Sequence, residues 1–145
     1  MTIPTLLAFA GDHLLLSLAF AGLTLALIYN EVARLISPVK AVTPAQLTAL
    51  INRDDALLID VSAPGDFEKG HIAGAKNLPM GQFAPEHKLV AKVKDLPVAL
   101  ACRSGSVSAD AAKRLVMAGF RSVHWLDGGV AAWQQAGLPL VKGKS

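Results

Sequence analysis

Apolar and polar positions divide this chain into two unlike parts. Leu14 to Tyr29 reads LLLSLAFAGLTLALIY, an unbroken apolar run in which only Ser17 and Thr24 are polar, and both hydroxyls can bond back to their own helix backbone. From Val42 onward short apolar runs alternate with segments of helical periodicity. Thr43-Pro44-Ala45-Gln46 opens a helix with a capping box, and Leu47, Leu50 and Ile51 share one face of it. Ala56–Val61 and Pro97–Cys102 are continuous apolar runs of the kind that forms strands buried on both faces. Ser122–Leu126 reads as a third strand and Ala75–Leu78 as a short one. Helical turns are expected at Asp66–Gly70, over part of Gly81–Leu96, at Ser108–Met117 with Gly119 as its C′ glycine, and at Val130–Ala136 before Gly137 and Pro139. Strands alternating with helices predict an α/β domain, a mainly parallel sheet covered by helices on both faces.

Composition sharpens the division. The chain has 145 residues, 52% hydrophobic, with a mean hydropathy of +0.43. Asp12 is the one charged residue before Glu31, and all 14 Lys and Arg residues lie from Arg34 onward. The expected organisation is a transmembrane helix with its flanks at 1–36, a linker at 37–41, a globular domain at 42–140 and a tail at 141–145. The sixteen residues Leu14 to Tyr29 span roughly 24 Å at about 1.5 Å each, against a hydrocarbon core of about 30 Å. Asp12 can cap the helix at the headgroups, Tyr29 suits the interface, Val32–Ile36 can extend the helix while Arg34 snorkels, and Ser37-Pro38 can stop it. Membrane contact is therefore expected through residues 12–33. A cleaved signal peptide would want basic residues before the run, a buried core helix a larger protein around it, and an interfacial helix one charged face. Arg34, Lys40 and Arg53 follow the run, so the positive-inside rule predicts a single pass with the N-terminus outside and the domain cytoplasmic.

The formal net charge is +3, with basic residues dispersed rather than run together, which argues against nucleic-acid binding. The single cysteine excludes an intramolecular disulfide and any metal site with several Cys ligands. No metal spacing links the histidines, and no cofactor is implied. His71 follows a glycine in a turn, His124 sits mid-strand, and His87 reads as a solvated side chain, so none is assigned catalysis.

That cysteine, Cys102, ends a predicted strand. Arg103, Ser104, Gly105, Ser106, Val107 and Ser108 follow it and lead into a helix. Such a strand–loop–helix can curl its backbone N–H groups toward one point, and the helix adds its own unpaired amides. A negative sulfur at that point is stabilised and becomes a nucleophile able to accept and pass on a sulfur atom. Taken alone, a Cys at the end of an apolar strand is more often a small buried hydrophobe. Asp60 ends the neighbouring strand and is expected to support backbone near the loop.

Cys102-Arg103-Ser104-Gly105 with Ser108-Ala109 and Gly119-Phe120 resembles the active-site loop and helix of rhodanese-like domains. Phe67, Gly70-His71-Ile72-Ala73-Gly74-Ala75, Asn77-Leu78-Pro79, Asp60-Val61, and Asp127-Gly128-Gly129 with Trp133 resemble the family's other motifs, in order across Val42 to Leu140. The resemblance implies a sulfurtransferase carrying a transient persulfide on Cys102, with the six residues Cys102 to Val107 as the loop around the sulfur. It implies a small anionic sulfur donor, with thiosulfate as the usual test compound, and a thiol or protein acceptor; a lone rhodanese domain behind one membrane helix is an arrangement seen in bacteria, and the inner (cytoplasmic) membrane is the expected location. Two positions depart from the family. Val107 stands where many members carry Arg, and Ser62 where Arg commonly follows the Asp-Val pair. A charge pair at about 4 Å is worth roughly 4 kcal/mol at an effective dielectric of about 20, so weak thiosulfate activity is expected. The departures also leave open a catalytically inactive rhodanese module acting as a membrane-associated adaptor. A related phosphatase is disfavoured, because its phosphate cradle needs Arg where Ser108 stands. The oligomeric state is left open.

Overall fold

A computed structural model describes residues 2–36 and 39–144 and divides them into two units, to either side of Ser37 and Pro38. The first unit holds two helices, α1 (Ile3–Asp12) and α2 (Leu14–Ile36). Asp12 therefore ends a short helix of its own instead of capping the long one, and His13 breaks the two with φ −124° and ψ 53°. Thr24 Oγ1 donates to the Phe20 carbonyl within its own helix, as expected, but Ser17 Oγ donates across the break to the Ala10 carbonyl. Leu14–Ala33 is long and apolar enough to cross a membrane, and none of that stretch is buried. The expected stop at Ser37-Pro38 and the snorkelling side chain of Arg34 lie outside the described residues.

The second unit is a five-stranded sheet flanked by helices. Its elements are β1 (Val39–Val42), α3 (Pro44–Asp54), β2 (Leu57–Asp60), α4 (Pro64–Lys69), β3 (Lys76–Asn77), β4 (Val98–Ala101), α5 (Ser106–Met117), β5 (Val123–Leu126) and α6 (Gly129–Gln135). The strand order is β1-β5-β4-β2-β3 and every pairing between these strands is parallel. Thr43 and Gln46 form the capping box of α3, each side chain accepting from the other's backbone N–H at 3.3 and 2.9 Å. Helix α5 closes on a Schellman motif. The Phe120 amide donates to the Leu115 carbonyl and the Gly119 amide to that of Val116, with Gly119 at φ 93°.

Side chains alternate across the central strands, as a sheet covered twice requires. Val98, Leu100 and Cys102 pack with Ala111, Ala112 and Leu115 of α5 on one face. Ala99 and Ala101 pack with Leu47, Phe67 and Trp133 on the other, which carries α3, α4 and α6.

Three expectations need correction. The linker expected at residues 37–41 is in part a strand, since β1 covers Val39–Val42 and pairs with β5 along its whole length. Gly81–Leu96 forms successive turns with no α-helix, closed by bonds such as Val90 N–H to the His87 carbonyl. Phe83 and Val90 anchor those turns in the α5-side core, so tertiary packing holds a segment whose spacing is not strictly helical. The expected tail also begins with structure, since Val141 and His71 exchange both backbone bonds at 2.9 Å.

Candidate active site at the carboxyl end of the sheet

Strands β2 and β4 run side by side, Asp60 opposite Ala101, and both end at the same sheet edge. The residue after β4 is Cys102, directed to the α5 face and only 3% exposed. Burial alone would make it a packing residue. Its polar neighbours say otherwise. The Gly105 amide donates to Sγ at 3.0 Å and the Ser108 amide at 3.4 Å. The thiol lies 3.4 Å from Ser108 Oγ, which itself donates to the Gly105 carbonyl at 2.8 Å.

The backbone turns this way for two reasons. Gly105 sits at φ 98° immediately before α5, and a Cβ there would meet the Gly128 amide and the Leu126 carbonyl at 3.1 Å and the Trp125 ring at 3.2 Å. The loop carbonyls are also drawn the other way. Val130 N–H donates to the Cys102 carbonyl at 2.9 Å and Ala131 N–H to that of Arg103 at 3.3 Å. A Cβ on Gly129 would collide with the Cys102 and Arg103 carbonyls, so a bare α-carbon is what lets the first turn of α6 approach. With carbonyls facing α6, amides are left to face the sulfur.

The helix begins earlier than its sequence suggests. Ser106, Val107 and Ser108 occupy the first turn of α5, so the connection after Cys102 is only Arg103, Ser104 and Gly105. Ser108 is buried beside the sulfur, whereas the Ser104 and Ser106 hydroxyls are exposed and lie 3.3 Å from each other. Arg103 points outward, and its Nη1 pairs with Asp66 Oδ1 of α4 at 2.8 Å. Asp60 is buried, and its Oδ1 accepts from the Ser62 amide at 2.8 Å. Burial raises its pKa above the ordinary value, and the Ser62 hydrogen bonds oppose that rise. Its side chain thus shapes the turn after β2, which Asn77 Nδ2 braces by donating to the Asp60 and Ser62 carbonyls at 3.1 and 3.0 Å.

A cavity of about 370 Å³ opens over the sulfur. Cys102, Arg103, Ser104 and Val107 form one side, and Ser62, Asp66 and Met80 are among the residues of the other. Asp66 and Met80 escaped the sequence reading. Nothing in the local pattern marks Asp66, although Met80 directly follows the Asn77-Leu78-Pro79 motif. His71 is fully buried, stacked on the Phe67 ring at 3.6 Å, with Nδ1 2.8 Å from the Phe67 carbonyl. His124 is partly buried beside Ser122, and burial followed by the Lys40 charge lowers its pKa.

Residues 43–136 match the rhodanese-like domain family. The chain belongs to that family. It is 40% identical over 140 residues to YibN, an uncharacterized protein of Escherichia coli K12, covering 96% of this chain and 98% of YibN. It is 34% identical over 97 residues to the thiosulfate sulfurtransferase GlpE of Pseudoalteromonas translucida, covering 67% of this chain and 90% of GlpE. A rhodanese-related protein from Thermoplasma volcanium has a similar structure, with a TM-score of 0.62 and 26% identity over 72% of this chain and 99% of that one. This rhodanese-like domain thus has relatives named as sulfurtransferases. Val107 and Ser62, its two departures from the arginines common in the family, both lie on the cavity wall.

Proposed function

We propose that this protein is a membrane-anchored sulfurtransferase in which Cys102 carries the sulfur. The Cys102 thiolate attacks the outer sulfur of a sulfane donor. With thiosulfate, a new sulfur–sulfur bond forms to Sγ, the old one breaks, and sulfite leaves with the bonding electron pair. An acceptor thiolate then attacks the outer sulfur of the persulfide, and Cys102 departs as thiolate. The Gly105 and Ser108 amides, 3.0 and 3.4 Å from Sγ, carry this reading. Oriented amide donors stabilise negative charge on sulfur before the attack and again when Cys102 leaves. Arg103, Ser104 and Val107 contribute to the rim, and Asp60 supports it through the Ser62 turn. Leu14–Ala33 supplies the anchor, and Arg34, Lys40 and Arg53 favour a cytoplasmic domain.

Incubation with thiosulfate followed by intact mass spectrometry tests the chemistry. A gain of about 32 Da, one sulfur atom, is expected on the wild type and not on Cys102→Ala. An unchanged wild-type mass with every sulfane donor would instead favour an adaptor without transfer chemistry.

A further inference from the structure

The cavity above Cys102 has an unusual charge balance for a site that takes a small inorganic dianion. Its wall is mostly apolar, with Val61, Ala63, Pro79, Met80 and Val107 around the sulfur, and among the described residues its only charged ones are Asp66 and Arg103. These two are paired at 2.8 Å, which commits the one guanidinium on the wall. Lys69 also turns to Asp66, at 3.8 Å, and lines the adjoining depression instead. A dianion entering here would lose water against apolar surface and, among the described residues, meet on the wall only a guanidinium already shared with a carboxylate. At about 370 Å³ the cavity is the size that holds a small organic ligand.

We propose that the donor is an organic sulfane species of low charge with an apolar body, a thiol persulfide, in preference to thiosulfate, and that Asp66 sets this preference by holding Arg103. The inference rests on the sulfurtransferase reading and narrows its substrate. The Cys102 thiolate attacks the terminal sulfur of R–S–SH and bonds to it. The R–S to S bond breaks, and the thiolate that leaves takes up the proton from the terminal sulfur. Cys102 is left as a persulfide anion and R–SH is released, so atoms and charge balance.

Benzenethiosulfonate and thiosulfate are suitable probes, because both deliver one sulfane sulfur and differ by one charge and a phenyl ring. Loading of Cys102 in the full chain in detergent is timed by mass, each rate being divided by that of the same donor with 2-mercaptoethanol. The normalised rate should favour benzenethiosulfonate. Asp66→Asn should raise the thiosulfate rate relative to benzenethiosulfonate by about two- to fivefold, the range for releasing an exposed ion pair, and NaCl should erase that gain. Val107→Arg, which adds a cation at the rim, should shift the ratio the same way. A wild-type ratio favouring thiosulfate, or a ratio indifferent to both substitutions, overturns the inference while leaving sulfur transfer standing. Failure of both donors, and of a small alkyl persulfide added as a third, to load the wild type overturns the sulfurtransferase reading and this inference with it.

Discussion

Cys102 is nearly as buried as the aliphatics beside it, yet two amides reach its sulfur. The contrast matters because burial without donors makes a thiol inert, whereas burial with oriented donors gives its anion a place to rest. At Asp60 burial outweighs the donors it has from Ser62. Its raised pKa means the folded state holds the proton more tightly than the unfolded chain does. The resulting stability is fully present below the ordinary carboxyl value of about 3.9 and is lost as pH rises through the folded value. An Asn in its place keeps an oxygen for the Ser62 amide and carries no charge to desolvate. Thermal melts of Asp60→Asn and wild type should therefore differ increasingly in favour of Asn between about pH 4 and about pH 7. A gap that stays constant over that range would contradict the assigned cause.

Among the elements, the start of α5 is the one that makes the site. Ser106-Val107-Ser108 has no sequence feature that distinguishes loop from first helical turn. Gly105 decides it by supplying a left-handed residue just before the helix, and α6 secures it by drawing off the Cys102 and Arg103 carbonyls. Gly105→Ala forces a Cβ against the Gly128 and Leu126 backbone and the Trp125 ring. It should cost about 1–3 kcal/mol of stability by chemical denaturation and abolish sulfur loading of whatever protein remains folded. Full loading at unchanged stability would show that the amide geometry survives without the glycine. The break at His13 is likewise an element-scale feature, and it falls where Gly11-Asp12-His13 interrupts the apolar leader.

For the whole molecule, the two units make separable claims. If α2 anchors the chain, the wild type should remain in the membrane pellet after alkaline carbonate extraction. Leu23→Arg places a charge mid-span at about 2.5–3.5 kcal/mol by insertion scales, and should move a substantial fraction to the supernatant. Protease added to intact spheroplasts should leave the domain whole and digest it only after lysis. Digestion of the domain in intact spheroplasts would reverse the assigned sidedness.

Much of this protein is set by short-range pattern. The apolar leader, the capping box at Thr43, the buried strands that become β2 and β4, the C′ glycine at 119 and the placing of Cys102 at a strand end all follow from residue type and spacing, because local backbone preference and side-chain alternation are properties of neighbouring residues. What only the tertiary structure decided involves residues far apart in the chain. Val39–Val42 becomes a strand because β5 offers it an edge. Arg103 is committed because α4 brings Asp66 to it. The Cys102 amides face inward because α6 takes the carbonyls. Each of these outcomes depends on which distant group meets a hydrogen-bonding or charged partner first, and that is settled when the layers pack, not by the order of residues along any one element.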